Sequence, residues 1–189
     1  QAVSGLIFCA SNFVGVKKPM RQTLLVASAA AACLLAVAAT PSLAATAGTA
    51  TGPTAKGAKG QVFAASAYRN LTDGQKVTLT GKGYNTRIGI YVTYCVIPPK
   101  GQRPELCGPF DITGQNNASF WISSNPPLYA TALVTPFGKG GTFMVNMTAT
   151  RKIGDSDCAV VRCAFTTRAD HTRSDNRTAD VFIPVSFKP

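Results

Sequence analysis

The chain has 189 residues, of which 14% are charged and 8% aromatic, with 17 glycines, 12 prolines and a formal net charge of +11. That is enough chain for one or two domains, and the composition excludes collagen, coiled coil and wholesale disorder. No basic run interleaved with aromatics occurs, so direct nucleic-acid binding is not expected.

Residues 20–44 read MRQTLLVASAAAACLLAVAATPSLA. Lys17, Lys18 and Arg21 precede an apolar run from Leu24 to Ala39, Pro41 breaks it, and Ser42-Leu43-Ala44 supplies a small-x-small cleavage pattern. This reads as a helical secretory signal peptide. The alternative is an uncleaved anchor, for which an alanine-rich run of about 16 residues is short against the ~20 a span needs. Residues 1–19 precede a start at Met20 and read as an upstream, untranslated extension. Cleavage after Ala44 removes Cys9 and Cys33, leaving Cys95, Cys107, Cys158 and Cys163. It also leaves sixteen Lys and Arg against eight Asp and Glu, a net +8. The expected product is a monomer that is secreted or wall-associated, without a transmembrane segment. Its charge suits an anionic cell-envelope component.

Residues 45–60, ATAGTATGPTAKGAKG, lack any period and read as a flexible linker. From Gln61 short alternating runs begin. VFAASAY (62–68) is a strand, NLTDGQ a turn, and KVTLTGKGY (76–84) alternates Val77 and Leu79 before breaking at glycine. IGIYVTYCV (88–96) is a strong strand with Ile88, Ile90, Val92 and Tyr94 on one face. A short run spans 106–112 and ASFWIS (118–123) is a strand. YATALVTPF (129–137) is a weak strand or an extended loop. TFMVNMTAT (142–150), CAFTTR (163–168) and ADVFIPVSF (179–187) complete the series. Short strands with no helical period predict an all-β sandwich or barrel over residues 61–189. Pro184 places the last strand at an edge or bulge.

In an exported chain four cysteines imply disulfides, with three pairings possible. Extended, the segment from Cys158 to Cys163 would span about 16 Å, whereas a bridge needs Cα atoms within about 7 Å. If these two pair, AVVR must bend tightly. VIPPKGQRPEL between Cys95 and Cys107 suits a closed loop. Neither spacing matches the knuckles of a zinc site, so no metal is expected.

NLTDGQKVTLTGKGYNTRIGIYVTYC (70–95) resembles the opening strands of the neocarzinostatin family, which are secreted actinobacterial antibiotic chromoprotein apoproteins. The shared pattern falls on Leu71, Asp73, Gly74, Val77, Leu79, Gly81, Gly83, Val92 and Cys95. DCAVVRC (157–163) is similar to the family's D-C-x4-C, and DVFIPVSF (180–187) to its final strand. The resemblance covers most of 61–189. It implies a seven-stranded immunoglobulin-like sandwich with Cys95–Cys107 and Cys158–Cys163 bridges. Family members of known function hold an enediyne chromophore that acts on DNA. The sequence departs from the pattern in three places. About twenty residues are inserted between Ile112 and Gly140, within 113–139, and bring an extra strand or hairpin. Thr166 and Arg168 stand where glycine and serine are usual, and Ile97 replaces a tryptophan.

His171 is the sole histidine, so any Ser-His or Cys-His scheme must use it. It lies in RADHTRSDNRTAD (168–180), which reads as a solvated hairpin with nearly balanced charges, or as a recognition loop at the end of the sandwich. No separate nucleophile is signalled, and the chain reads as a non-enzyme without a cofactor. Phe110, Trp121, Tyr129 and Phe137 lie in or beside the insertion; they can line an apolar pocket or stack on sugar rings, or can form a satellite core. The candidate ligand-binding set is therefore Ile97, Phe110, Trp121, Tyr129, Phe137, Thr166, Arg168, His171 and Arg173. The expected partner is a small apolar ligand, such as a chromophore, or an envelope component. The alternatives are an adhesive wall module without a small-molecule site and an enediyne apoprotein.

Overall fold

The computed structural model describes residues 52–109 and 117–189. Residues 20–44, expected to be a signal peptide, residues 1–19, expected to be an upstream extension, and Phe110 lie outside the described residues. Ten strands are described: β1 (Thr54–Lys56), β2 (Val62–Ala65), β3 (Gln75–Lys82), β4 (Ile90–Val96), β5 (Phe120–Ile122), β6 (Phe143–Ala149), β7 (Lys152–Ile153), β8 (Ser156–Asp157), β9 (Cys163–Ala169) and β10 (Val181–Pro184). They form two four-stranded antiparallel sheets, ordered β1-β2-β3-β6 and β10-β9-β4-β5, and a small β7-β8 ribbon. The chain crosses between sheets after β3, β5 and β8. This is the order of an immunoglobulin-like sandwich, in which β2, β3 and β6 face β4, β9 and β10.

Alternation sets which side chains meet between the sheets. Val77 and Leu79 of β3 and Val145 and Met147 of β6 point inward, against Ile90, Val92 and Tyr94 of β4 and Phe165 of β9. Lys76, Thr78 and Thr80 take the opposite face of β3 and are exposed or half-buried. Gly81 sits where the Phe143 ring needs room, since a Cβ there would lie 2.1 Å from the ring. In the β6–β7 segment the turn to β8 runs through Gly154 at φ +55, a conformation that favours glycine.

Three expectations are modified. The linker read as flexible through residue 60 enters the sheet at Thr54, where Thr54, Ala55 and Lys56 pair with Ala64, Phe63 and Val62. Strand pairing needs only backbone groups, so a segment without apolar alternation can still fill an edge. Of the two readings of 129–137, the loop holds and the strand does not. The run begins with a 3-10 turn at Leu128–Ala130, and its extended part makes one parallel bridge, Thr135 to Ile122. Pro127 and Pro136 lack the N–H groups a ladder requires. The last strand stops at Pro184 on the sheet edge, after which the tail crosses to pair Phe187 with Leu71.

Both disulfides form as the resemblance implied, Cys95–Cys107 and Cys158–Cys163. The second closes a tight bend with a Cα separation of 5.5 Å, held by the amides of Val160 and Val161 donating to the Asp157 carbonyl. Cys95 is next to last in β4 and Cys163 begins β9, so both bridges staple one end of the sandwich. The loops after β3, β5 and β9 gather at the other.

Candidate functional site

Two features occupy the end opposite the disulfides. The first is an aromatic assembly on the outer face of the β10-β9-β4-β5 sheet. Because Ile90 and Val92 point into the core, Tyr91 must point outward, and its register neighbours are Trp121 on β5 and Arg168 on β9. The Tyr91 and Trp121 rings lie 5.8 Å apart, and the Arg168 guanidinium lies 5.4 Å from the Tyr91 ring centre. His171 stacks on Tyr91 at 6.1 Å and meets Trp121 edge-on at 5.0 Å. Its Nδ1 is 2.5 Å from the Tyr91 hydroxyl and its Nε2 is 3.0 Å from the Tyr129 hydroxyl.

Asp170 anchors this assembly. It is only 2% exposed. Its Oδ2 accepts from Trp121 Nε1 at 2.9 Å, and its Oδ1 accepts from the Thr172 amide at 3.0 Å and the Thr172 hydroxyl at 2.6 Å. A buried carboxylate needs such donors, and these cap the 3-10 turn His171–Arg173. Asp170 fits because residue 89 is glycine. A Cβ at Gly89 would lie 2.0 Å from Asp170 Oδ2. Burial, with the Asp170 charge adding to it, pushes the Tyr91 hydroxyl up to about 12, against the opposing pull of His171 and Arg168. Tyr91 therefore remains a neutral hydroxyl at physiological pH.

The second feature is a cleft of about 520 Å³ where the sheets part. Tyr84, Ile88 and Ile90 form an apolar wall, and Gln61, Asn176 and Thr178 contribute polar groups. The walls are tied together. Thr167 donates its hydroxyl to the Ala179 carbonyl at 2.7 Å, so the Tyr84 hydroxyl, 3.0 Å away, donates to Thr167. Burial raises the Tyr84 pKa strongly, only partly offset by that bond. The nearly buried Gln61 donates to the Thr178 carbonyl and accepts from the Lys59 amide, strapping the β1–β2 turn to the 176–179 loop. A smaller concavity of about 360 Å³ lies between the β1 and β10 edges and includes Tyr68 and Pro184.

The candidate residues divide. Trp121, Tyr129, Arg168 and His171 converge, and Arg173 follows on the same turn, exposed. Ile97 lies at the disulfide end, its amide donating to the Arg162 carbonyl. It is six residues along from Tyr91, about 20 Å. Phe137 packs against Tyr84 and Phe143, with centroids 6.3 and 6.4 Å away. Thr166 is fully buried, its hydroxyl donating to the Ala164 carbonyl. His171 is exposed yet engaged at both ring nitrogens, so it differs from a histidine free in solvent. The 168–180 segment is likewise more ordered than a simple hairpin. It makes two 3-10 turns, the second capped by Asn176, and Arg177 pairs with Asp180 at 2.8 Å.

Sequence reasoning did not select Gly89, Tyr91, Asp170 or the cleft residues. The alternation of 88–96 places Tyr91 outward, but nothing local signals that Asp170 turns inward. Among the described residues no group of three or more His, Cys, Asp or Glu is placed to hold a metal, and no helix is long and apolar enough to cross a membrane.

The fold and the two stapled loops define a class: an antiparallel, immunoglobulin-like, disulfide-linked sandwich. No protein-family model matches the chain, and none of the curated proteins matches it in sequence. Among solved structures the chain is similar to macromomycin, at 13% identity and a TM-score of 0.45, over 68% of this chain and 99% of that one.

Proposed function

We propose that the chain is a secreted, non-catalytic binding domain of the neocarzinostatin type, and that it holds a small, largely apolar ligand in the cleft at the loop end. The observation that carries this reading is the cleft itself. Its volume of about 520 Å³ falls in the range of small-molecule sites, which are concave and apolar with a few convergent polar groups. Tyr84, Ile88 and Ile90 would contact an apolar body. Asn176 and Thr178 would orient its polar edge. Pre-formed walls lower the ordering cost of binding. Two disulfides in place of free thiols fit an oxidising, extracytoplasmic setting. The non-catalytic reading is supported by the engagement of the one histidine with two tyrosine hydroxyls and by the oxidised state of the cysteines.

Native mass spectrometry of protein purified from its natural producer tests this. A small molecule should co-purify and be released on denaturation, and Ile88→Phe, which narrows the cleft, should lose it while still folding. Bare protein whose melting temperature does not respond to the producer's extract would overturn the reading.

A further inference from the structure

The exposed side of the aromatic assembly carries a second inference, on a surface that adjoins the cleft at Asn176. Leu128 is 92% exposed and Tyr129 72% exposed, both on the 3-10 turn of the insertion. The side-chain hydrogen bond of Tyr129 runs from its hydroxyl to His171 Nε2, which steadies the ring at its tip and leaves its face in solvent. His171 is in turn set by Tyr91 behind it and by Trp121, whose indole N–H is held by Asp170. A platform fixed in this way loses little freedom when something stacks on it.

Beside His171 the chain forms an open hollow of about 250 Å³, lined by Thr172, Arg173, Ser174, Asp175 and Asn176. Every one of these is polar, and together they present both donors and acceptors. Thr172 and Asn176 are already bonded to Asp170 and Thr178, but an aliphatic partner laid over Tyr129 and the hollow would cover the Arg173, Ser174 and Asp175 side chains without offering them hydrogen bonds, at a cost for each one buried. A sugar ring matches both parts, with C–H groups on its face and hydroxyls at its rim. We propose that Tyr129 and the hollow at residues 171–176 form a saccharide-binding surface, in which a pyranose stacks on the Tyr129 ring and its hydroxyls bond to the 172–176 side chains.

Trp121 is the only tryptophan and meets His171 edge-on, so its fluorescence reports on this surface directly. The purified chain is titrated with chitohexaose, cellohexaose and an arabinogalactan oligosaccharide, following Trp121 emission. At least one should give a saturable change. Loss of one stacked ring should weaken that binding about tenfold in Tyr129→Ala, with Tyr129→Phe staying within about threefold of the parent. Ile88→Phe should bind the saccharide unchanged. No response to any of the three at millimolar concentration, or parental affinity in Tyr129→Ala, overturns the proposal. Loss of saccharide binding in Ile88→Phe alone would place the sugar in the cleft, which also overturns it while leaving the cleft reading intact.

Discussion

Asp170 and Gly89 act as one unit. The Gly89 carbonyl accepts from the Asp170 amide at 2.8 Å, and the missing Cβ of residue 89 makes room for the carboxylate that holds Trp121. Gly89→Ala should therefore destabilise the fold by about 1–3 kcal/mol, the usual range for forcing an atom into a packed site. It should also change Trp121 emission in the native state, which a loss of stability elsewhere would not do. Asp170→Ala should cost about 2–3 kcal/mol through hydrogen bonds lost from a charged acceptor. Urea unfolding followed by far-ultraviolet circular dichroism measures both, and a native Trp121 spectrum unchanged in both variants would contradict this coupling. Asp180 sets a pH dependence. Burial pushes its carboxyl up to about 6, against the attraction of Arg177 and Arg168. An unfolded aspartate titrates near 3.9. Between about pH 4 and 6 the folded state thus binds more protons than the unfolded state, so this group's contribution to stability falls as pH rises through that window and is flat on either side. Asp180→Asn should flatten the urea midpoint across pH 4–6, whereas an unaltered slope would place the proton elsewhere.

Among the elements, the two disulfides differ in the loop each closes, with sequence separations of 12 and 5. The chain-entropy relation gives about 3 kcal/mol for Cys95–Cys107 and about 2 kcal/mol for Cys158–Cys163. Paired Cys→Ala variants should lower stability in that order by urea denaturation. β1 supplies a second test at this scale. A chain beginning at residue 57 lacks the strand that covers the β2 edge, and an open edge both loses ladder bonds and invites pairing with another chain. The truncated protein should unfold at a lower urea concentration and associate more readily in sedimentation. Identical behaviour would mean that β1 is only a leader.

Across the described residues, the sandwich sorts its features by end. The bridges staple the end where β4 finishes and β9 begins, and the loops after β3, β5 and β9 gather at the other. There the β3–β4 connection and residues 176–179 line the cleft, and the β5–β6 connection and residues 168–173 build the aromatic platform. The strands were readable from the sequence because alternation is local. Val77 and Leu79, or Ile90, Val92 and Tyr94, declare an inward face without reference to any partner. Pro184 alone limited the last strand to an edge or a bulge, and the sheet order makes it the edge. The candidate site was readable only as a set of residue types. Trp121, Tyr129 and His171 stood out as scarce or aromatic residues in loops, but their meeting was not encoded in any spacing. They come from three segments up to 50 positions apart in number, and β5 and β9 bring them together by pairing on either side of β4.

The sequence by itself determined the all-β class, the inward and outward faces of the long strands and the restriction of the last strand to an edge or a bulge, because each follows from side-chain period or backbone chemistry within a few residues. It also determined that Cys158 and Cys163 could bridge only through a tight bend, because chain length limits their reach. Only the tertiary structure decided that the supposed linker joins the sheet at Thr54, that Asp170 is buried under Trp121, and that Ile97 and Trp121 lie at opposite ends. Those outcomes depend on which strands become neighbours, and strand order is set by long-range packing of the two sheets that no local pattern contains.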